Sequence, residues 1–150
     1  MTDIVPGLAE LPEMATLGLK TAPRHCTPAC HDYHAVWGFL RLFGRLPAVA
    51  ADHDLLTSAL GDAAREGAPR VLVSGSADHG LLAYVLAAFE SAGRRPDVTV
   101  IDRCATPLEL CTRYATDRGL EITTHATEAL AFAAPSFDLI VAHNFLNAFD

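Results

Sequence analysis

The chain has 150 residues, of which 51% are hydrophobic and 19% charged, and carries a formal net charge of −7. That length fits one domain burying about two-thirds of its unfolded surface, and the composition is globular rather than disordered. The acidic balance and scattered arginines exclude nucleic acid as the main partner, because phosphate neutralisation needs a basic face. No apolar run approaches the roughly 18 residues of a membrane span. The amino-terminal segment lacks the basic start and long apolar centre of a signal peptide. The four cysteines, at 26, 30, 104 and 111, are too sparse for a disulfide scaffold. A reduced, cytoplasmic setting is therefore expected.

Residues 1–28 are rich in proline and small side chains and read as a loosely structured lead-in. A helical prefix follows over 29–67. Tyr33, Val36, Trp37, Leu40 and Phe43 recur at helical spacing until Gly44 and Pro47 interrupt them. Asp52 or Asp54 caps a second helix with Leu55, Leu56, Ala59, Leu60 and Ala63 on one face, ending at Gly67. Beyond Pro69 the pattern alternates strand and helix, which favours a parallel sheet with crossover helices. Val71–Val73 is the first strand, and Gly75-Ser76-Ala77-Asp78-His79-Gly80 the turn after it. Asp78 caps a helix running from His79 to Ala92, with Gly93 as its stop and His79 exposed in its first turn. Val98–Ile101 is the second strand, closing on Asp102. Thr106, Pro107 and Glu109 form a capping box for a helix ended by Gly119. Glu121–Thr124 is the third strand, Thr127–Phe132 a turn of helix, and Phe137–Ala142 the fourth strand.

The stretch from Arg70 to Asp102 has the order of a nucleotide-type cofactor site: strand, glycine turn, helix, second strand, acid. With the fourth strand placed, residues 70–150, roughly half of the chain, resemble a class I S-adenosylmethionine-dependent methyltransferase. VLVSGSADHGLL stands where such enzymes carry a strand, a glycine-rich loop and a helix start. VTVID ends on the counterpart of the ribose-binding acid, THATEALAF matches the segment around the adenine, and SFDLIVAHNFLNAF matches the fourth strand and its loop. Val73 and Ala77 depart from that pattern, which often has an acid and a second glycine at these places.

The resemblance implies an α/β Rossmann-like parallel sheet of strand order 3-2-1-4, with helices on both faces and the helical prefix covering the cofactor. It implies that the sheet is incomplete, the pattern breaking off where three further strands are expected, so that the chain is a fragment, a degenerate copy or half of a complex. It implies S-adenosyl-L-methionine as cofactor, held by Gly75, Ser76, Ala77, Gly80, Asp102, Arg103, Thr127, Glu128 and Asn144, with Tyr33 and Trp37 toward the substrate. Each assignment has a plainer counterpart. Asp102 accepts ribose hydroxyls or caps the following helix beside Arg103. Thr127 and Glu128 offer backbone amides to the adenine edge or form a surface turn. His143 is a general base or packs in its loop.

His25, Cys26, Cys30, His31 and His34 offer five metal-type donors, with Cys30 and His34 on one helical face and His31 pointing elsewhere. Their spacing matches no standard finger, so they read as a helix start and no metal is assigned. The expected activity is methyl transfer to a small molecule. The alternatives are a nicotinamide-binding domain built on Gly75-x-Ala77-x-x-Gly80, or a non-catalytic protein that binds a partner or a second copy through an exposed sheet edge.

Overall fold

Val71, Leu72 and Val73 are apolar on both faces of their strand, as central strands of parallel sheets are. In the computed structural model, which describes residues 4–133 and 135–143, all three are buried in β1 (Arg70–Ser74). β1 pairs in parallel with β2 (Asp97–Asp102) on one side and with β4 (Leu139–Val141) on the other, Val73 standing opposite both Val100 and Val141. β3 (Thr123–Ala126) extends the sheet beyond β2, giving the order β3-β2-β1-β4. The fold is therefore α/β with an all-parallel sheet, as the sequence pattern predicts.

Five α-helices flank the sheet among the described residues: α1 (Leu11–His25), α2 (His31–Leu42), α3 (His53–Glu66), α4 (Gly80–Ser91) and α5 (Ala105–Thr116). α4 is apolar on nearly every side, and a helix of that kind belongs inside. Leu81, Leu82, Ala83, Tyr84, Val85, Leu86 and Phe89 are all buried along it. One core joins α4, β1 and β2 to Met14 of α1 and to Leu60 and Ala64 of α3. Gly67 closes α3 in the left-handed conformation, a conformation that costs glycine least.

The lead-in expected to be loose contains α1. Proline misleads there: Pro12 lies in the first turn, where its missing N–H costs no hydrogen bond, and Pro23 sits only in the last. The small residues are contact points. A Cβ on Gly38 of α2 would come 2.6 Å from the Cα of Ala15 on α1, and one on Gly18 would come 3.3 Å from the carbonyl of His34. Two helix backbones approach this closely only where side chains are absent. α1 also docks on α5, through Arg113–Glu13 at 2.9 Å and Arg24–Glu109 at 2.9 Å.

Two local assignments are corrected. The α5 cap is Cys104, whose sulfur accepts the Thr106 N–H at 3.5 Å; Thr106 is buried, and Glu109 pairs with Arg24 and His25 instead of folding back. β3 begins at Thr123 rather than Glu121, because its register is set by Thr99 pairing with Thr123 across the sheet and not by its own weak alternation. Among the described residues β4 is an edge strand, and its Ile140 is 65% exposed.

Candidate functional site at the carboxyl ends of the strands

In a parallel sheet, ligands bind where successive crossovers leave the sheet in opposite directions, outside the carboxyl ends of the strands. Here that switch point lies between β1 and β4, because β2 pairs with one side of β1 and β4 with the other. A cleft of about 950 Å³ opens there. It is lined by Gly75, Ser76, Ala77, Asp102, Arg103, Thr127, Glu128, His143, Tyr33 and Trp37, so residues expected from five separate segments come together in one place. Asn144 lies outside the described residues.

Asp102 organises the cleft floor. Its Oδ2 accepts the Ser76 N–H at 3.0 Å and its Oδ1 the Cys104 N–H at 2.8 Å. The carboxylate thus ties the turn after β1 to the turn after β2, and does the helix-capping work as well as facing the cleft. Burial raises its pKa, while the two amide donors and nearby His34 and Arg103 oppose the rise. Gly75 supplies the turn with φ of 72° and donates to the Ile101 carbonyl at 3.0 Å. A side chain there would be strained.

The start of α4 departs from expectation. Gly80 does not line the cleft; it is a close-packing glycine, and a Cβ on it would stand 3.0 Å from Arg41 Nη1, Asp78 Oδ1 and Val49 Cγ2 alike. Asp78 does cap the helix, accepting the Gly80 N–H at 2.7 Å, and it forms a buried ion pair with Arg41 of α2. The sequence offers no signal for that pairing across the two segments. His79, expected to be exposed, is fully buried. Its Nε2 meets the Gly7 carbonyl at 2.8 Å, its ring lies 4.9 Å from that of Tyr114, and its Nδ1 has no partner. The segment that precedes α1, through Gly7, and Tyr114 of α5 are what cover it.

Tyr33 and Trp37, one helical turn apart on α2, pack with ring centroids 4.9 Å apart and planes tilted by 46°, and both line the cleft. Trp37 Nε1 is buried without an acceptor. Burial, with the charges of Asp78 and Asp102, pushes the Tyr33 hydroxyl up to about 12. Across the cleft Arg103 and Glu128 stand 3.9 Å apart and largely exposed. The Thr127 N–H does not face a ligand: it donates to the Asp102 carbonyl at 2.8 Å and continues the sheet. His143 Nε2 meets Asp52 Oδ2 at 2.7 Å, bridging the end of β4 to the 3-10 turn Ala48–Asp52. Asp52 was expected only as a helix cap, yet it orients this imidazole.

The cysteine and histidine run is also rearranged. Cys26 ends α1 and Cys30 precedes α2. With His34 and the distant Cys104, their donor atoms all lie within 4.8 Å of one another. Cys26 Sγ is 3.2 Å from His34 Nδ1, 3.5 Å from Cys104 Sγ and 3.2 Å from Thr106 Oγ1. His31 points away, to Asp32 at 3.0 Å. Burial pushes the Cys26 thiol up to about 12 and the His34 imidazole down. Cys104, the donor that completes the group, could not be assigned to it from spacing alone.

No protein-family model matches the chain, and no curated protein matches it.

Proposed function

We propose that this chain forms the S-adenosylmethionine-binding unit of a methyltransferase acting on a small-molecule acceptor. The observation that carries the reading is the amino terminus of α4. A dinucleotide lays its pyrophosphate on the first amides of the corresponding helix. In this chain the Asp78 carboxylate already holds the Gly80 N–H at 2.7 Å, and Arg41 balances its charge from α2. A pyrophosphate there would meet a buried carboxylate of the same sign, and like charges in a buried setting repel strongly. An adenosyl amino acid has no phosphate to place. That favours S-adenosylmethionine over NAD for a cleft at this switch point.

When bound, the sulfonium supplies a methyl group to an acceptor lone pair, the carbon–sulfur bond breaking with its electrons left on sulfur. The chain's own residues hold and enclose the reactants. Each Asp102 oxygen spends one acceptor site on a backbone amide and keeps another for a ribose hydroxyl. The faces of Tyr33 and Trp37, both lining the cleft, suit a cation. His143, oriented by Asp52, is the candidate to take a proton from the acceptor. The α2 residues that line the cleft would shield the reactants from water and fix their approach, and positioning of that kind supplies most of the rate enhancement such a transfer needs.

Trp37 is the chain's single tryptophan and lines the cleft, so its fluorescence reports on this site alone. Titration with S-adenosylhomocysteine is expected to shift or quench the emission saturably, with NAD inert. An emission that responds to NAD and ignores S-adenosylhomocysteine overturns the reading.

A further inference from the structure

We propose that Cys26, Cys30, His34 and Cys104 form a binding site for one zinc-class divalent cation, which pins the helical prefix to the sheet. The four donors are three sulfurs and one imidazole nitrogen, the set tetrahedral zinc takes in closed structural sites. Soft ligands with no carboxylate among them disfavour magnesium and calcium, which require oxygen.

The geometry is close to what the ion requires. With metal–sulfur bonds of about 2.3 Å, a tetrahedron has sulfur–sulfur edges of about 3.8 Å. The four donor atoms lie within 4.8 Å of one another, Cys26 and Cys104 sulfurs are 3.5 Å apart, and Cys26 Sγ to His34 Nδ1 is 3.2 Å. Edges of that size enclose a single ion and leave no room for a multinuclear cluster. Shifts of up to about 1 Å, within the reach of side-chain torsions, bring the widest edges to the tetrahedral value. His34 presents Nδ1, which makes Nδ1 the ligand atom.

Groups around the donors fit as well. Thr106 Oγ1 lies 3.2 Å from Cys26 Sγ, the Thr106 N–H donates to Cys104 Sγ at 3.5 Å, and Thr27 Oγ1 is 3.7 Å from Cys30 Sγ. Hydrogen bonds of this kind to ligating sulfur orient it and temper its charge. Thiols must lose their protons to ligate, so binding would release protons as the thiolates form.

The position gives the site its consequence. Cys26 ends α1, Cys30 precedes α2, His34 lies on α2, and Cys104 caps α5 two residues after Asp102. One ion would therefore fix the α1–α2 corner against the turn that carries Asp102.

The test is cobalt(II) substitution of the full chain, reduced and freed of metal. The expected result is one cobalt per chain, with thiolate-to-cobalt charge transfer and the intense ligand-field bands of tetrahedral cobalt, displaced by zinc. Cys104→Ser and His34→Ala are expected to weaken binding at least about 10-fold and to reduce those bands, while His31→Ala leaves them unchanged. A weak octahedral spectrum in the unmodified chain overturns the proposal. So do charge-transfer bands and an affinity left unchanged by Cys104→Ser. Should a variant fail to fold, the spectrum and stoichiometry of the unmodified chain decide alone.

Discussion

Arg41 and Asp78 form an ion pair across 37 residues of chain, with side chains only 4% and 7% exposed. The pair joins the helical prefix to the start of α4 beneath the cleft. Removing one partner leaves a buried charge without compensation, which costs far more than the intact pair contributes. Asp78→Ala and Arg41→Ala are each expected to lower the unfolding free energy by about 3–5 kcal/mol in urea titrations. The double substitution Arg41→Met with Asp78→Leu is expected to recover part of that loss. A single-variant loss below about 1 kcal/mol would place the pair in solvent.

Gly38→Ala tests the α1–α2 contact. In an exposed helix interior the change stabilises by about 0.5–1 kcal/mol. Here the new methyl would stand 2.6 Å from the Ala15 Cα, so overpacking wins and a net loss of about 1–3 kcal/mol is expected. Thermal or urea unfolding gives the sign directly, and a gain would show the helices are farther apart.

Burial holds the His79 imidazole below its ordinary value near 6.5, with Asp78, the Gly7 carbonyl and Glu10 opposing that shift and Arg41 adding to it. Tyr114 faces the same ring. The neutral form is thus the one the fold accepts. Its contribution to stability is full above about pH 6.5, and falls as the pH drops from there toward the folded-state pKa. Urea midpoints measured from about pH 8 to about pH 5 are expected to decline at the acid end. His79→Gln, which keeps a donor for Gly7, is expected to flatten that decline, and an unaltered profile would assign it to other groups.

Asp102→Asn probes the floor of the cleft. One carboxylate oxygen becomes an NH2 facing a backbone N–H donor, either Ser76 or Cys104. S-adenosylhomocysteine binding is expected to weaken by about 1–3 kcal/mol through lost charge-assisted hydrogen bonds. Far-ultraviolet circular dichroism checks that the turn remains folded. Unchanged affinity in a folded variant would mean Asp102 is only a clamp between turns.

The strands and crossover helices were legible because each carries its own periodicity: Val71–Val73 for β1, Leu81–Phe89 for α4, and the acid closing β2. The convergence of Asp102, Glu128, His143 and Trp37 on one cleft followed from topology once the strand order was known. What the sequence concealed depends on contacts between distant segments. α1 buries a stripe of Leu11, Met14, Ala15, Gly18, Thr21 and Ala22, but most of these side chains are small and the prolines beside them mask its period. His79 looks like a surface residue until the Gly7 segment covers it. Arg41 has no local reason to meet Asp78, and Cys104 lies 78 residues from Cys26. Short-range spacing carries none of these.

Isothermal titration calorimetry of the chain against S-adenosylhomocysteine and NAD tests the central claim most directly. The predicted result is saturable heat with S-adenosylhomocysteine at one site per chain, lost or weakened in Asp102→Asn, and no heat with NAD. Heat with NAD and none with S-adenosylhomocysteine would contradict it.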